Sequence, residues 1–386
     1  MRISRSDESL LARWWYSVDR SLIVALLVLM GVGLVFSLAA SPAVAEKKGF
    51  DLFYFVERHA VFTILGVALM LLLSFLQPKQ IRRFGLLLLT GSLVLMAVAL
   101  FWGPEINGAH RWIRVAGQSL QPSEFMKPGF VVISAWLLSE GRKRDDMPAF
   151  PMAVVLLTVT LCLLVLQPDV GQSVLISSIW LVMFIVAGYS LLWGLGFLGV
   201  AGVGGIAAYV FLPHVRARVS SFIDPGRGDS YQIERALQSF KEGGFFGRGP
   251  GEGTIKSVLP DSHTDFIFSV IAEEYGIAAC ILLVIIFGFI SLRGLAHVRR
   301  MPDQFCRLVV LGLALLFAFQ AIINMAVNVG LIPAKGMPLP FISYGGSSFL
   351  GLAITMGLLL AMARPSVKGD RLKNTKFVAS AGVVEI

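Results

Sequence analysis

Residues 21–43 read SLIVALLVLMGVGLVFSLAASPA and contain no charged side chain. A helix rises about 1.5 Å per residue, so about 20 apolar residues are enough to cross the hydrocarbon core of a bilayer. The run is also longer than the apolar part of a typical cleaved signal, which has about 7 to 15 residues. This stretch therefore predicts a first transmembrane helix that stays in the protein.

The rest of the chain repeats this pattern. Of its 386 residues, 56% are hydrophobic and only 15% are charged, whereas soluble proteins carry about 25% charged residues. About ten helices of about 20 residues each would use nearly all the apolar positions, which leaves none for a separate soluble core. We predict an all-α polytopic membrane protein with about ten transmembrane helices, at residues 21–43, 60–77, 84–102, 122–139, 150–167, 171–188, 190–212, 265–292, 306–329 and 343–363.

Lysine and arginine are concentrated in alternate connections between the predicted spans. Because positively charged loops stay on the cytoplasmic side, this distribution predicts that both termini are cytoplasmic. The chain would then consist of a cytoplasmic N-terminal segment (1–20), a transmembrane domain (21–363) and a basic cytoplasmic tail (364–386), with the long connection 213–264 outside the cytoplasm. The topology and attraction to anionic lipid explain the net charge of +9, so we expect no nucleic-acid partner.

The long connection contains a run of glycines over residues 243–253. Glycine-rich polar segments are typical of loops, so we expect a flexible connection rather than a folded module. It does not resemble a phosphate-binding loop, because no Gly-Lys-Ser/Thr sequence follows the glycines. Cys162, Cys280 and Cys306 lie in or beside apolar runs, which indicates small hydrophobic residues and neither a disulfide framework nor a metal cluster.

Ionisable side chains inside apolar runs cost roughly 2.5 to 3.5 kcal/mol each and usually indicate function. Glu124 and Lys127 lie three residues apart at the start of one span, so they share a helix face and can form an ion pair. That pair either serves a function or only orients the helix, which Ser123 is expected to cap. Asp169 lies in a Pro/Gly break between two spans, where it either faces a wet cavity or only caps the next helix.

Two further polar groups lie at predicted spans. Gln320, Asn324 and Asn328 are spaced by four residues and form one stripe on the ninth span, for which hydrogen bonding to neighbouring helices is the favoured explanation. Asp265 lies where the long connection enters the eighth span. It is either a functional carboxylate or a simple helix N-cap, and the residues alone leave both interpretations open.

Cationic, aromatic and hydroxyl side chains collect on the same predicted outer side as Asp265. Each by itself could be an interfacial anchor. Together they suit an anionic lipid headgroup, above all a phosphate or pyrophosphate, which arginine binds through paired hydrogen bonds. The group consists of Arg58, Arg111, Trp112, Lys335, Ser343 and Tyr344.

These segments together resemble the SEDS family (shape, elongation, division and sporulation) of bacterial membrane proteins, over about residues 20–365. Five motifs of this sequence resemble family motifs and occur in the same order and spacing. The pair Lys335-Gly336 resembles the division members of the family rather than the elongation members. The motifs are Asn-Gly-Ala-x-Arg-Trp-Ile at 107–113, Gln-Pro-Ser-Glu-x-x-Lys at 121–127, Gln-Pro-Asp-x-Gly at 167–171, His-Thr-Asp-Phe-Ile-Phe at 263–268 and Pro-x-x-Lys-Gly-x-x-Leu-Pro-x-Ile-Ser-Tyr-Gly-Gly-Ser-Ser over 333–348.

The resemblance implies a multi-pass peptidoglycan glycosyltransferase of the bacterial cytoplasmic (inner) membrane, with its active site on the outer face, at the division septum. Its substrate would be lipid II, a disaccharide-pentapeptide on undecaprenyl pyrophosphate. It also implies a class B penicillin-binding protein, the septal transpeptidase, as a partner, together with other division proteins. No nucleotide is needed. A Mg²⁺ or Mn²⁺ ion between Asp265 and the pyrophosphate is left open, since the sequence contains no dedicated metal site.

By the same resemblance, Asp265 is the catalytic general base. Two other functions are considered: a lipid II flippase, and a scaffold that recruits division proteins. A flippase would need charges near the midplane that are accessible from both sides, whereas the predicted charges lie on one side, so polymerisation is favoured. The candidate substrate-binding residues are Arg58, Arg111, Trp112, Glu124, Lys127, Asp169, His263, Thr264, Lys335, Ser343 and Tyr344.

Overall fold

The computed structural model describes residues 9–106, 108–115, 117–144, 146–211, 216, 220, 230–333 and 336–364. These residues form α-helices joined by short connections, one β-hairpin and one 3-10 turn. In chain order the elements are α1 (Leu10–Ser17), α2 (Arg20–Lys47), α3 (Tyr54–Leu73), α4 (Pro78–Trp102), β1 (Ile113–Val115), β2 (Gln118–Leu120), α5 (Pro122–Glu140), α6 (Ala149–Leu166), α7 (Val170–Val186), α8 (Leu191–Phe211), α9 (Ser230–Gly243), the 3-10 turn (Ile255–Ser257), α10 (Ile267–Val298), α11 (Gln304–Asn328) and α12 (Gly346–Met362).

Helices α2 to α8 and α10 to α12 overlap the ten predicted spans. Seven of them are long and apolar enough to cross a membrane, namely α2, α3, α4, α6, α8, α10 and α11, and the apolar helices α7 and α12 are shorter. The predicted all-α polytopic membrane fold is confirmed. The number of spans and the side on which the termini lie stay predictions, and the predicted tail lies outside the described residues from residue 365 onward.

The centre of the bundle is formed by α5, α11 and α12. In α11, 78% of the apolar window is buried against other helices, compared with 6% in α8. Around this centre α5 packs on α4, α12 on α3, and α11 on α10. Because a helix that faces other helices on all sides can carry polar groups without exposing them to lipid, the polar residues of α5 and α11 lie inside the protein.

The antiparallel hairpin β1–β2 pairs Ile113 with Leu120 and Val115 with Gln118. It leads directly into α5, whose N-cap is Gln121 and whose first residue is Pro122. Proline is favoured at the first helical position because its missing N–H would have no partner there. The expectation that Ser123 caps this helix is wrong, since Ser123 lies within the first turn.

The glycine-rich part of the long connection docks against a break in α10. Gly276 has a φ of 79°, which interrupts the helix and frees backbone groups on both sides. Gly249 N–H donates to the Glu274 carbonyl at 3.0 Å, and Ile277 N–H donates to the Gly244 carbonyl at 3.0 Å. Non-helical backbone at membrane depth needs such partners from the protein itself. The expectation of a flexible connection without a fold is therefore wrong for residues 230–257, which also contain α9.

Two smaller features complete the fold. The segment predicted only as cytoplasmic N-terminus contains helix α1, whose apolar Leu10 and Leu11 are exposed. Ser9 begins α1 by accepting a hydrogen bond from the Ala12 N–H at 3.2 Å. Cys162, Cys280 and Cys306 are free thiols.

Candidate active site

Asp265 lies in a turn formed by residues 261–266, immediately before α10. The turn is closed by the Asp261 carbonyl, which accepts hydrogen bonds from the N–H groups of residues 264, 265 and 266. The N-cap of α10 is Phe266, and no side chain caps this helix. The interpretation of Asp265 as a simple N-cap is therefore wrong. Its side chain is partly exposed, so it is open to a further role.

Three successive carbonyls of this turn are bound by other segments. The His263 carbonyl accepts from the Tyr344 N–H at 3.0 Å, and the Thr264 carbonyl accepts from the Ser343 hydroxyl. The Asp265 carbonyl accepts from the side-chain amides of Asn324 at 2.8 Å and Asn328 at 2.9 Å. A backbone held at three consecutive residues has a defined orientation, and so does the Cα–Cβ bond of Asp265.

The polar stripe of α11 is the main support of this turn. Asn324 also donates to the Met337 carbonyl at 2.7 Å, and Gln320 donates to the Pro338 carbonyl at 3.2 Å. Asn328 accepts from the Ser269 N–H and hydroxyl on α10, at 3.1 and 2.7 Å. The stripe therefore joins α11 to α10 and to the segment before α12, which agrees with the favoured hydrogen-bonding explanation.

Glu124 and Lys127 form the predicted ion pair. Their side chains are 1% and 3% exposed, and Lys127 Nζ lies 2.8 Å from Glu124 Oε2. Lys127 also donates to Gln320 Oε1 at 3.1 Å, and Gln172 of α7 donates to Glu124 Oε1 at 3.0 Å. Because Gln320 in turn holds the segment before α12, these contacts connect the ion pair to the surroundings of Asp265.

Of the two roles that the sequence left open, Asp169 performs that of a helix cap, and its side chain is buried in the protein. It is the N-cap of α7 and accepts from the Gln172 N–H at 3.3 Å. It also faces Arg111, whose Nη1 lies 3.9 Å from Asp169 Oδ2. Arg111 Nε donates to the Gln167 carbonyl at 2.6 Å, and a further Arg111 nitrogen donates to the Pro168 carbonyl. The guanidinium of Arg111 is thus engaged by the turn between α6 and α7.

Arg58 contacts Tyr344, which binds the Asp265 turn, whereas Arg111 contacts the turn between α6 and α7. Arg58 is half-buried on α3, over the ring of Tyr54 at 4.6 Å, and next to the side chain of Tyr344. Arg58 also donates to Gln118 Oε1 of the hairpin at 3.2 Å. Since Tyr344 binds the turn through its backbone N–H, Tyr344 is a shared neighbour of Arg58 and of the turn that carries Asp265.

His263 is buried in an aromatic cluster beside Asp265. Its ring stacks on Tyr344 with centroids 5.7 Å apart and contacts Phe55 at 5.0 Å. Burial, together with the smaller effect of the positive charge of Lys48, lowers the pKa of His263 to about 4. The imidazole is therefore neutral at neutral pH, and it shapes the turn without supplying a positive charge to a phosphate.

Two predicted site residues, Lys335 and Trp112, have few described contacts. Lys335 lies outside the described residues. The next residue, Gly336, is described, and a Cβ built on it would lie 3.4 Å from Asp265 Oδ2. Trp112 is half-buried at the start of β1, with its carbonyl packed against Gly103. Gly336 therefore lies directly beside the Asp265 carboxylate.

The sequence interpretation missed a second acidic group in the same region. Glu273 and Glu274 lie in the apolar run of α10 and are fully buried. Glu273 Oε1 accepts from the N–H groups of Thr254 and Ile255 at 2.6 and 2.8 Å, and Glu274 pairs with Lys256. Two consecutive carboxylates in a run of apolar residues were the available signal.

The described residues include no group of three or more His, Cys, Asp and Glu side chains arranged to hold a metal ion. Asp265 is accompanied instead by a backbone turn, aromatic rings and Arg58. This donor set fits an anionic ligand that is bound by cations and N–H or O–H groups. The arrangement can hold such a ligand next to one carboxylate.

Comparison with known proteins gives matches over nearly the whole chain. The family model FTSW_RODA_SPOVE, described as cell cycle protein, matches residues 20–368. The probable peptidoglycan glycosyltransferase FtsW of Caulobacter vibrioides is 43% identical over 362 residues, which are 94% of this chain and 93% of the relative. The protein of the same name from Trichlorobacter lovleyi is 36% identical over 350 residues, 89% and 92% of the two chains.

Solved structures show the same fold. A chain of a peptidoglycan synthase complex that coordinates polymerization and crosslinking superposes with a TM-score of 0.76 at 29% identity, over 90% of this chain and 98% of the other. The crystal structure of the rod shape determining protein RodA of Thermus thermophilus matches with a TM-score of 0.67 at 27% identity, over 90% and 97% of the two chains.

Proposed function

The chain belongs to the cell cycle protein family of FtsW, RodA and SpoVE, and from this membership we propose that it is a peptidoglycan glycosyltransferase that polymerises lipid II during septal wall synthesis. Asp265 acts as its general base. Relatives that match over nearly the whole chain, including that of Caulobacter vibrioides, are named for this activity. The match to a peptidoglycan synthase complex supports the same assignment.

The observation that carries the assignment of Asp265 is the fixed turn at the start of α10. A general base must lie within hydrogen-bond reach of the proton that it removes, in a defined orientation. Asn324 and Asn328 hold the Asp265 carbonyl, while the side chain is partly exposed beside Gly336. The carboxylate is thereby presented on a rigid backbone at the surface of the bundle.

The chemistry needs one base and a site for a leaving pyrophosphate. The Asp265 carboxylate accepts the proton of the acceptor sugar hydroxyl as its oxygen forms a bond to the anomeric carbon of the donor. The bond from that carbon to the pyrophosphate oxygen breaks, and the undecaprenyl pyrophosphate leaves with the bonding electron pair. Because pyrophosphate leaves readily, positive charge can replace the second carboxyl group that glycosidases use.

Arg58 is proposed to bind the phosphates because it lies beside Tyr344, and Lys335 is proposed for the same role because Gly336 next to it lies against Asp265. Arg111 contributes indirectly, since its guanidinium is engaged by the turn that holds Asp169. Glu124 and Lys127 orient the segment before α12 through Gln320. Trp112, Ser343, Tyr344, His263 and Thr264 form the surroundings of the substrate.

The proposal extends to location and partners. The chain is a multi-span membrane protein, and we place it in the bacterial cytoplasmic membrane at the septum, with Asp265 on the outer face. Its partner in crosslinking is a class B penicillin-binding protein, alongside other division proteins, which the match to a synthase complex supports. A Mg²⁺ or Mn²⁺ requirement is tested by adding a chelator to the polymerisation assay.

The decisive experiment supplies labelled lipid II to the purified chain, alone and with its cognate transpeptidase, and measures glycan polymer. Asp265→Asn and Asp265→Ala should lower the rate by roughly 10²- to 10⁴-fold, the usual contribution of a general base, with an unchanged melting temperature. Asp261→Asn is the matched control. It removes a charge from an exposed side chain of the same turn, and asparagine tolerates the positive φ of 52° at this position.

Normal polymerisation by Asp265→Asn would show that the base is another residue. The same chain reconstituted into vesicles distinguishes the alternative function, because a flippase would move lipid II between leaflets without forming polymer. Polymer formed by the wild type and by Asp261→Asn, but not by the Asp265 variants, supports the proposal.

A further inference from the structure

A cavity of about 570 Å³ opens between the beginning of α2 and the end of α10. It lies at the opposite end of α10 from Asp265. Because the part of α10 after the Gly276 break, residues 277–298, is itself as long as the roughly 20 residues that cross a bilayer, we take the two ends of α10 to lie at opposite membrane surfaces. The cavity, here named the Arg20 cavity, is lined by Asp19, Arg20, Arg293, His297 and Arg300 among others.

The single carboxylate of the Arg20 cavity is already saturated. Asp19 accepts hydrogen bonds from Arg293 at 2.7 Å and His297 at 2.8 Å, and from the Ser21 hydroxyl and the Leu22 N–H at 2.6 and 3.2 Å. Burial alone would raise the pKa of Asp19, but these hydrogen bonds outweigh burial and hold the pKa well below its usual value. Asp19 is therefore an anion whose negative charge is neutralised by Arg293 and by hydrogen bonds at the start of α2.

Arg20 and Arg300 give the cavity its excess positive charge. In the described part of the chain, no carboxylate lies within ion-pair distance of either guanidinium. Arg20 stacks on the rings of Trp15 and Tyr16 at 4.8 and 5.6 Å and donates to the Trp15 carbonyl at 3.3 Å, and none of these partners carries a negative charge. Guanidinium groups at the rim of a cavity suit a phosphate, which they bind through paired hydrogen bonds.

The surroundings of the cavity place it at the level of lipid headgroups. Helix α1 ends next to it and exposes Leu10 and Leu11 at 79% and 63%, with Trp15 and Tyr16 exposed at 40% and 42%. An apolar helix face with Trp and Tyr beside arginine is typical of a helix that lies in the membrane interface. Exposed apolar side chains continue from the cavity into the bilayer on both flanking helices, at Val24, Leu27 and Val28 of α2 and at Phe289 and Leu292 of α10.

We propose that the Arg20 cavity binds the headgroup of an anionic phospholipid. Arg20 and Arg300 contact the phosphate, and the acyl chains lie along the exposed apolar side chains of α2 and α10. Basic pockets between helices at a membrane surface are suited to such headgroups, and the volume falls within the range of small-molecule sites. The bound lipid joins α1 and α2 to the end of α10.

The test titrates the delipidated full chain with phosphatidylglycerol or phosphatidylcholine and counts bound lipids by native mass spectrometry. The wild type should prefer phosphatidylglycerol. Each arginine near a lipid surface contributes about fivefold in affinity, so Arg20→Gln/Arg300→Gln should weaken phosphatidylglycerol binding by about 25-fold and leave phosphatidylcholine binding unchanged. Arg20→Lys/Arg300→Lys should restore part of the preference.

The matched control is Arg83→Gln/Arg299→Gln, which removes the same charge from two exposed side chains that do not line the cavity. If both double variants weaken phosphatidylglycerol binding equally, the preference comes from general surface charge and the proposal is overturned. Unchanged phosphatidylglycerol binding by Arg20→Gln/Arg300→Gln would also overturn it. Competition by glycerol phosphate at the same concentration as the lipid would show a site for a soluble phosphate instead. If the melting temperature shows that the double variant is unfolded, Arg300→Gln alone carries the same comparison.

Discussion

Asp265 and the pair Glu273–Glu274 lie within ten residues of one another, yet the fold treats these carboxylates in opposite ways. Glu273 accepts three backbone N–H groups, from Thr254, Ile255 and residue 256. Glu274 accepts from the Gly251 N–H at 2.9 Å and pairs with the Lys256 ammonium. At Asp265, in contrast, neighbouring side chains hold the main-chain carbonyl, and the carboxylate keeps part of its surface exposed.

The difference shows how one helix serves both structure and chemistry. A buried carboxylate surrounded by N–H donors stabilises the loop that supplies them, so Glu273 and Glu274 fasten residues 251–256 to α10. A partly exposed carboxylate on a fixed backbone can meet a substrate. Acidic residues in and beside a membrane helix therefore differ in which groups donate hydrogen bonds to their carboxylate oxygens. Burial alone does not identify a catalytic group.

The largest expected effect is a loss of stability when Glu274 is replaced, and it tests whether Glu274 is structural and Asp265 is not. Glu274→Ala leaves the buried Lys256 ammonium without its carboxylate, so we expect the free energy of unfolding to fall by roughly 3–5 kcal/mol. Thermal melting of the purified protein measures this change. Asp265→Ala, studied in the same way, should leave the melting temperature near that of the wild type. A larger loss at Asp265 than at Glu274 would contradict the assignment of structure to one and chemistry to the other.

The next effect concerns pH and the turn that carries Asp265. His263 has a pKa of about 4 in the folded protein and 6.5 as the ordinary value, so the unfolded chain binds a proton first. Its contribution to stability is complete above about pH 6.5 and is lost as the pH falls toward about 4, by about 3 kcal/mol in total. His263→Phe keeps an aromatic ring between Tyr344 and Phe55 but cannot titrate.

Melting curves of the wild type and of His263→Phe over this pH range check the expectation. The wild type should lose more stability than the variant on acidification, and the difference between them isolates His263 from the carboxylates that titrate in the same range. Parallel curves would mean that His263 is accessible to protons in the folded state.

The smallest effect sharpens the comparison at the Asp265 backbone. Asn328→Ala removes one of the two donors to the Asp265 carbonyl and should cost about 1–3 kcal/mol, with a lower polymerisation rate at unchanged substrate KM. Ser269→Ala is the matched control, because it removes one donor to Asn328 Oδ1 but leaves the contact of Asn328 with Asp265. Equal rates in the two variants would show that Asn328 supports the bundle without positioning the base.

Much of the site could be anticipated from local sequence. The Glu124–Lys127 pair followed from a spacing of three residues on one helix, and the hydrogen bonds of Asn324 and Asn328 followed from their spacing of four. The role of Arg111 was less accessible, because its partners at residues 167–169 lie more than 50 positions away in the chain. The docking of the glycine-rich segment was missed for the same reason, since its partners lie across the break at Gly276.

By itself, the sequence determined that this is a helical membrane protein, where its helices run, and which polar residues they carry, because hydrophobic length and helical spacing are local properties. Only the tertiary structure decided which of these acidic residues are fully buried and which stays partly exposed. That outcome depends on donors brought from distant segments: Lys256 and its neighbours for Glu273 and Glu274, and Asn324 and Asn328 for the turn of Asp265. The hydrogen-bond partners of a buried charge are the groups that surround it in space, and these cannot be read from the order of residues along the chain.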